Sequence, residues 1–308
     1  MIYNSLAVAA HKGGVGKTSI VANLAASVAL GEYRVLAVDL DAQGNLSRDL
    51  GYRDASDEGR GLFQAVMGAG ALTPLRDVRP GLDVIPGGAD TKRLADLLAL
   101  QMGQRTGSQY NLEGVLAPLA ADYDLVIIDM PGSASANLTA GLALSHFVVI
   151  PTKIDDGSMD GLEGLAAEIG QTRDTVSPQL WVLGVVLFDV GSGDTALRNQ
   201  ARTELEELLG DVAPVLQSSI RHSRRGAVDM RRLGQVAYEY EQAYALAKPW
   251  YQDRSTPRPS AAAAGLAGDY QQLTEEVMRL MFDRLEAEAP DEIERLALVR
   301  AQAAATEA

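Results

Sequence analysis

The stretch AAHKGGVGKTS, residues 9–19, decides the fold because it places a glycine-rich loop between a strand pattern and a helix pattern. The preceding run SLAVAA (5–10) is typical of a buried strand. In the following TSIVANLAASVALG (18–31), Ile20, Leu24 and Val28 fall on one helical face. The N-terminus of such a helix binds anions through its free N–H groups and its dipole. The stretch therefore predicts an α/β fold with a phosphate site after the first strand.

Residues 11–18 match the pattern G-x-x-x-x-G-K-[ST], except that His11 replaces the first glycine. Lys17 is predicted to reach the β- and γ-phosphates of a nucleotide, and the Thr18 hydroxyl to bind Mg²⁺. The alternative interpretation is a plain glycine turn between a strand and a helix. The predicted nucleotide-binding residues are Lys12, Gly13, Gly14, Val15, Gly16, Lys17, Thr18 and Ser19.

Apolar strand patterns alternate with helical patterns along most of the chain, which is typical of a parallel sheet with crossover helices. Further strands are predicted at 34–40, 82–87, 124–130, 146–152 and 180–189. Helices are predicted near 88–102, 109–121, 134–145, 157–173, 194–209 and 235–247. The expected fold class is α/β, with a doubly wound and mostly parallel sheet.

Aspartates follow two of these strands. VLAVDLDAQGNLS (35–47) contains Asp39 and Asp41, and LVIIDMPGS (125–133) contains Asp129 at the end of four apolar residues. Strand ends of this kind meet at the sheet edge where α/β folds bind ligands. A carboxylate such as Asp129 can hold Mg²⁺ through water at this edge. The alternative is that these aspartates only cap the ends of their strands.

Composition narrows the classes of function. The 308-residue chain has no cysteine, which excludes disulfides and cysteine-ligated clusters and fits a reducing cytoplasm. Three scattered histidines make a histidine metal site unexpected. No stretch approaches the roughly 20 apolar residues of a membrane span, and no signal peptide is seen. The net charge of −14, taken alone, argues against nucleic-acid binding.

The sequence predicts one main domain followed by shorter segments. The main domain is expected to cover residues 1–247, and the Pro- and Ala-rich stretch 248–268 to form a loop or linker. A helix is predicted over 269–289, opened by Asp269 with Gln272 in the capping-box position. Its apolar stripe predicts docking on the main domain. Residues 290–308 form an acidic, Ala-rich tail.

The motif K-G-G-x-G-K-T, residues 12–18, resembles the deviant Walker A motif of the ParA/MinD group of P-loop ATPases. In that group the early lysine, here Lys12, crosses the interface of a nucleotide-sandwich dimer and touches the partner's phosphates. Cations supplied in trans stabilise phosphoryl transfer in this way. The resemblance covers roughly residues 4–247 and is strong up to about 165, where VVIPTKIDDGSMDGLEGL (148–165) matches a family stretch. The alternative is a solvated lysine at a loop edge.

The resemblance also implies roles for the aspartates. The stretch at 39–45 resembles the partition-type motif D-x-D-P-Q-G-N, with Ala42 in place of proline. It implies that Asp41 positions the attacking water and that Asp39 is structural or an outer-shell partner of Mg²⁺. Asp129 corresponds to Walker B, although Gly132 replaces a usual proline. The implied catalytic residues are Lys12, Lys17 and Asp41, and the implied metal ligands are Thr18, Asp129 and Asp41, with Asp39 as a further candidate. Segments around Asp189 and Pro214 fall where the family contacts adenine.

The Q-G-N after Asp41 favours the ParA branch. This branch implies a Mg-ATP-dependent homodimer that binds double-stranded DNA non-specifically on the nucleoid. A ParB-like partner would stimulate its slow hydrolysis, and the cycle would segregate plasmid, phage or chromosomal DNA. One alternative is positioning of a protein cargo. Another is MinD-like membrane association, which the acidic end of this chain disfavours. Bacterial tyrosine kinases and dethiobiotin-synthase-type ligases fit less well, and iron-protein relatives need cysteines.

A local basic patch gives this acidic chain a means to bind DNA. SSIRHSRRGAVDMRRLG (218–234) contains five arginines and one acid, Asp229. Because charges beyond a Debye length of about 8 Å are screened, a local patch governs contact. Arginines pair with phosphates without reading bases. The alternative is that these arginines pair with acidic neighbours such as Glu204 to Glu207. The predicted DNA-binding residues are Arg221, Arg224, Arg225, Arg231 and Arg232.

Overall fold

The computed structural model describes residues 1–102, 110–191, 195–210, 213–246 and 264–288. Within them, eight strands form one sheet: β1 (Ser5–Val8), β2 (Val35–Asp39), β3 (Leu75–Arg79), β4 (Leu82–Ile85), β5 (Leu125–Asp129), β6 (Phe147–Thr152), β7 (Trp181–Val190) and β8 (Val215–Arg221). The order is β3-β4-β2-β5-β1-β6-β7-β8, and only the β3–β4 pair is antiparallel. The sheet confirms the predicted mostly parallel α/β fold.

Helices cover both faces of the sheet, so the strands are buried on two sides. The α-helices are α1 (Lys17–Leu30), α2 (Leu46–Asp49), α3 (Arg60–Val66), α4 (Ala89–Met102), α5 (Tyr110–Ala120), α6 (Ala136–Leu144), α7 (Asp156–Thr175), α8 (Thr195–Leu209), α9 (Arg224–Leu233), α10 (Ala237–Leu246) and α11 (Leu266–Glu288). Apolar residues from α3 to α8 build one core. Those of α1, α2 and α9 to α11 build the other core, on the opposite face. The fold is doubly wound.

The two edge strands, β3 and β8, were not among the predicted strands. Strand β3 reads LRDVR and is only partly buried, so its sequence lacks the apolar run of the central strands. Strand β8 reads VLQSSIR and has polar residues in its middle. An edge strand has a neighbouring strand on one side only, so it is less buried and carries more polar side chains. These side chains interrupt the apolar run by which a strand is recognised in a sequence.

The last described helix begins earlier than predicted. Helix α11 starts at Leu266, after Gly265 with a φ of +83°. The prediction that Asp269 opens the helix and that the linker extends to 268 is therefore wrong at this boundary. Asp269 lies in the first turn, and its carboxylate accepts hydrogen bonds from Arg221 instead. Helix α11 packs against α1, β8 and α10 through apolar residues that include Leu273 and Val277.

Parts of the predicted organisation lie outside the described residues. Most of the predicted linker, 248–263, and all of the tail, 290–308, belong to this group. Among the helices that the structure describes, none is long and apolar enough to cross a membrane.

Candidate nucleotide-binding site

The loop between β1 and α1 is open on one side and closed on the other. Gly13 and Gly14 are exposed, and a Cβ at either position would meet no heavy atom within 4 Å. Gly16 has a φ of +90°, and a Cβ there would lie 2.2 Å from the ring of Phe188 on β7. Only glycine fits this position. Val15 is 1% exposed and anchors the loop in the core. The loop therefore presents its backbone to one cavity.

Lys17 begins helix α1, and its side chain is almost completely buried. Its ammonium donates a hydrogen bond of 3.1 Å to the Lys12 carbonyl. Burial lowers the pKa of Lys17, while Asp129 and Asp41 act in the opposite direction. A lysine held in this way is a fixed positive charge at the loop, suited to phosphate oxygens.

The aspartates that follow the strands lie side by side. Asp39 and Asp129 are directly opposite each other on the parallel strands β2 and β5, and both are completely buried. The Asp39 carboxylate accepts hydrogen bonds from the backbone N–H of Asp41 at 2.9 Å and of Leu46 at 3.4 Å. Burial and the neighbouring Asp129 hold the pKa of Asp39 well above its usual range. Asp39 thus fixes the loop that carries Asp41.

Asp129 is different because its carboxylate is not satisfied. Within the described residues, neither of its oxygens has a hydrogen-bond partner. Burial raises the pKa of Asp129 to about 7, and this shift is opposed by the Thr18 hydroxyl, which is near but not in hydrogen-bond geometry, and by the Lys17 ammonium. An orphaned buried carboxylate needs an explanation, such as an ion or water that joins it. Its position below the loop fits a cation beside the phosphates.

A cavity of about 510 Å³ joins these motifs. Asp41 lies at its wall and is held in an Asx turn by the Gln43 N–H, which donates to its carboxylate at 2.9 Å. The cavity walls include Gly13, Gly14, Gly16, Lys17, Thr18, Ser19, Asp41, Lys92, Asn137 and Arg231. Six of the eight predicted nucleotide-binding residues therefore meet Asp41 in one open space, and Val15 and Lys12 do not line it. Asp39 and Asp129 lie at the strand ends next to this space.

Lys12 does not line this cavity. Its ammonium forms an ion pair with the Asp155 carboxylate, just before α7, and its side chain is 34% exposed. The second lysine of the loop therefore faces away from the phosphate site of its own chain. The preceding His11 bonds to Glu168 on α7 at 2.8 Å, which ties the loop to the same helix.

Comparison with known proteins agrees with this geometry. The AAA domain family model AAA_31 matches residues 3–182. Over 186 residues, the chain is 33% identical to the chromosome partitioning protein ParA of Caulobacter vibrioides, and the match covers 59% of this chain and 68% of that protein. The chain belongs to the ParA family of P-loop ATPases.

Solved structures extend the likeness of this ParA-family ATPase over most of the chain. Cobyrinic acid a,c-diamide synthase from Mycobacterium smegmatis, with bound ADP and magnesium, is 27% identical with a TM-score of 0.63, covering 84% of this chain and 99% of that one. The ATP complex of a McdA variant from Cyanothece has a TM-score of 0.70 at 20% identity, covering 89% and 96% of the two chains, and shares the fold.

A second cavity of about 270 Å³ adjoins the first one in this ParA-family ATPase. Its walls include Phe188 and Asp189 from the end of β7 and His222 from the end of β8. Asp189 accepts hydrogen bonds from Lys153 at 2.8 Å and from His222 at 2.6 Å. Asp189 lies in a segment where the family resemblance predicts adenine contacts. Pro214, at the start of β8, is not part of the lining.

The five predicted DNA-binding arginines have different surroundings. Arg224, Arg225, Arg231 and Arg232 on α9 are exposed. Arg221 is paired with Asp269 on α11 at 2.6 Å, and Arg231 is paired with a carboxylate on α2 at 2.7 Å. Among the described residues, none of the five pairs with Glu204 to Glu207, the acidic neighbours that the sequence suggested.

Three residues of the site have no motif that would reveal them. Asn137 donates to the backbone carbonyls of Leu40 at 3.1 Å and Thr91 at 2.9 Å, and so joins α6, the Asp41 loop and α4. Lys92, in the first turn of α4, lines the phosphate cavity. Asp49 on α2 accepts a hydrogen bond of 2.9 Å from the Ser19 hydroxyl. Each comes to the site through tertiary packing between distant segments, which local sequence patterns do not encode.

Proposed function

We propose that this ParA-family ATPase is a partition-type switch. As an ATP-dependent homodimer it binds double-stranded DNA without sequence preference, and ATP hydrolysis stimulated by a ParB-like partner releases it. The cycle segregates a plasmid, phage or chromosomal DNA. The observation that carries this proposal is the exposed arginine face of α9 on the framework of a P-loop ATPase.

The nucleotide part of the proposal rests on the fit of the cavity. Exposed glycines, the start of α1 and the buried Lys17 face one open space, as a triphosphate requires. The adjoining cavity beside Phe188 suits a flat base. Asp41, held at the wall by Gln43, orients the water that attacks the γ-phosphate.

The metal part rests on the orphaned carboxylate of Asp129. Thr18 and Asp41 would hold Mg²⁺, with Asp129 acting through water and Asp39 in an outer, structural role. No group of three or more histidine or carboxylate side chains that could hold a metal occurs among the described residues. Mg²⁺ suits such a site because it uses few protein ligands together with phosphates and water. When bound, it neutralises phosphate charge.

The dimer part rests on Lys12. Lys12 does not line its own cavity, and in a dimer its ammonium would exchange Asp155 for the phosphates of the second copy. A cation supplied in trans makes hydrolysis depend on dimer formation.

The DNA part rests on the local charge of α9. The helix Arg224–Leu233 contains four arginines and one aspartate. Arg224, Arg225 and Arg232 are exposed, and Val228 between them is 60% exposed. The net charge of −14 lies elsewhere on the molecule and is screened beyond about 8 Å. This local charge supports the proposal that the protein associates with the nucleoid when ATP is bound.

A MinD-like membrane ATPase and a ParA-like ATPase that positions a protein cargo are the alternatives. The ATPase core is common to all three, so the matrix that it binds separates them. We find no observation among the described residues that favours either alternative over DNA.

The test is size-exclusion chromatography with light scattering, run with a 30-base-pair random duplex or with anionic vesicles. We expect the mass of a dimer, eluting together with the duplex, in ATPγS but not in ADP. Elution with vesicles and not with the duplex would replace DNA by a membrane. A dimer that binds neither would favour a protein cargo.

A further inference from the structure

We infer that the joint between α2 and α9 transmits the nucleotide state to the DNA-binding face, and that Arg231 is a positioning residue in this joint rather than a DNA contact. The inference rests on the proposed function and names how its two sites communicate. The ion pair Asp49–Arg231 and the contact Gly51–Gly234 form the joint.

Arg231 is held at the wall of the phosphate cavity by an ion pair with Asp49. Its Nε lies 2.7 Å from Oδ1 of Asp49, and a second guanidinium nitrogen lies 3.3 Å from Oδ2. The side chain lines both the phosphate cavity and the adjoining cavity. All four arginines of this helix are exposed, and Arg224 also lines the adjoining cavity. Among them, Arg231 is the one that lines the phosphate cavity and pairs with the buried Asp49 carboxylate.

Asp49 links this arginine to the phosphate loop. Its side chain is 9% exposed, and Oδ2 accepts a hydrogen bond of 2.9 Å from the Ser19 hydroxyl in the first turn of α1. Helix α2 follows directly after the Asp41 loop, whose residues Gln43 and Asn45 line the phosphate cavity. Movement of either the phosphate loop or the Asp41 loop is thus passed to Asp49.

The end of α9 is fixed to the end of α2 by close backbone contact. A Cβ on Gly234 would lie 2.4 Å from the Cα of Gly51, and both glycines have positive φ. Arg79 donates to the carbonyls of both Leu50, at 3.0 Å, and Gly234, at 3.1 Å. Because this packing leaves no room for sliding, α9 follows α2 as a unit.

The first test is hydrogen exchange of α9 amides in the full chain, with ATPγS and with ADP. It needs no DNA, so it is independent of the proposed function. We expect the amides of residues 224–233 to exchange at least about threefold more slowly in ATPγS than in ADP. In Asp49→Asn and Arg231→Gln this difference is lost, with each variant measured at nucleotide concentrations that saturate it. Identical exchange in the two nucleotides in the wild type would overturn the inference.

The second test is the ratio of DNA affinities in ATPγS and ADP. Coupling between two sites typically changes affinity about 5- to 150-fold, and we expect Arg231→Gln to reduce the ratio about tenfold. Arg232→Gln is the matched control, since it removes the same charge from the same turn of α9 but does not line the cavity. It weakens DNA binding in both nucleotides and keeps the ratio.

Equal loss of the ratio in Arg231→Gln and Arg232→Gln would mean that only the charge matters, and would contradict the joint. The double variant Asp49→Asn/Arg231→Gln is expected to behave like either single variant, because both remove one interaction. A wild type whose α9 responds to ATPγS but which binds no DNA would refute the proposed function and leave the joint intact.

Discussion

At the scale of single residues, the two lysines of the phosphate loop have opposite surroundings. Lys17 is buried beside Asp129, and Lys12 is paired with Asp155 outside the cavity. We expect Lys12→Ala to keep ATP affinity within about threefold, because the variant loses no contact in its own cavity. It should lose ATP-dependent dimerisation and reduce hydrolysis by about 10³-fold, the lower range for a cation supplied in trans.

Light scattering with ATPγS and a phosphate-release assay measure these two effects. Lys17→Ala is the control, and it should abolish nucleotide binding itself. A Lys12→Ala protein that hydrolyses ATP at the wild-type rate would show that the second lysine has no role across a dimer interface.

The buried Asp129 predicts how stability depends on pH. Its pKa in the folded protein is about 7, against 3.8 for an ordinary aspartate. Between these values the folded protein binds more protons than the unfolded chain, so the stability of the nucleotide-free protein falls as pH rises from about 4 to 7. Asp129→Asn should raise the free energy of unfolding at pH 8 by up to about 4 kcal/mol. The free energy of unfolding of this variant should also fall less steeply as the pH rises.

Part of the decline should remain in Asp129→Asn, since burial also raises the pKa of Asp39. Thermal unfolding between pH 5 and pH 8, without nucleotide, measures the effect, and the exposed Asp122→Asn serves as control. Equal slopes in the wild type and in Asp129→Asn would refute this role of the buried carboxylate.

At the scale of elements, the arginines of β8 and α9 differ in their partners: Arg221 and Arg231 pair with buried carboxylates, and the other three are exposed without such a pair among the described residues. Arg221 holds α11 against β8 through a two-point ion pair with Asp269, which is 11% exposed. Arg221→Ala leaves this carboxylate without its main partner, and we expect a loss of about 1–3 kcal/mol in the free energy of unfolding. Chemical denaturation measures it. A loss below about 0.5 kcal/mol would show that the pair does not stabilise α11.

The exposed arginines should behave in the opposite way. Among the described residues, the one ion pair that Arg224→Ala/Arg225→Ala removes is the weak Arg225–Asp229 pair at 3.9 Å, so stability should be unchanged. Because Arg224 also lines the adjoining cavity, the variant is compared at saturating ATP. DNA affinity in ATP should fall at least about tenfold, since each phosphate contact depends on charge. Anisotropy of a labelled duplex measures this, with Arg173→Ala/Arg279→Ala, on α7 and α11, as a charge-matched control. An unchanged DNA affinity would exclude α9 as the DNA-binding element.

The elements that the sequence predicts well are those whose environment is uniform. Strand β5, LVIID, is buried at every residue, so its apolar run is continuous and easily recognised. The edge strand β3 and the four-residue α2 have no such pattern. The sequence at Asp269 fits a helix N-cap, but this carboxylate pairs with Arg221 in the tertiary structure and the helix begins earlier, at Leu266. Likewise the loop residues Gly13 to Thr18 could be predicted, whereas Asn137, Lys92 and Asp49 depend on how distant segments pack.

At the scale of the whole molecule, the proposed function requires an acidic protein to bind an acidic polymer. The formal charge is −14, yet the short helix α9 carries four arginines. One of them, Arg231 near its C-terminal end, lines the nucleotide cavity. Binding of DNA should therefore depend on both the nucleotide and the salt concentration. A dimer presents two copies of α9, which makes weak contacts on each copy sufficient together.

The most direct test of this central claim is the affinity for a random-sequence duplex in ATP, in ADP and without nucleotide, over a series of salt concentrations. We expect tight binding in ATP alone, with log K falling linearly against log salt by about 0.9 for each phosphate contact. Arg224→Ala/Arg225→Ala should make that slope shallower. Absence of binding in every nucleotide state, or equal binding in all of them, would contradict it.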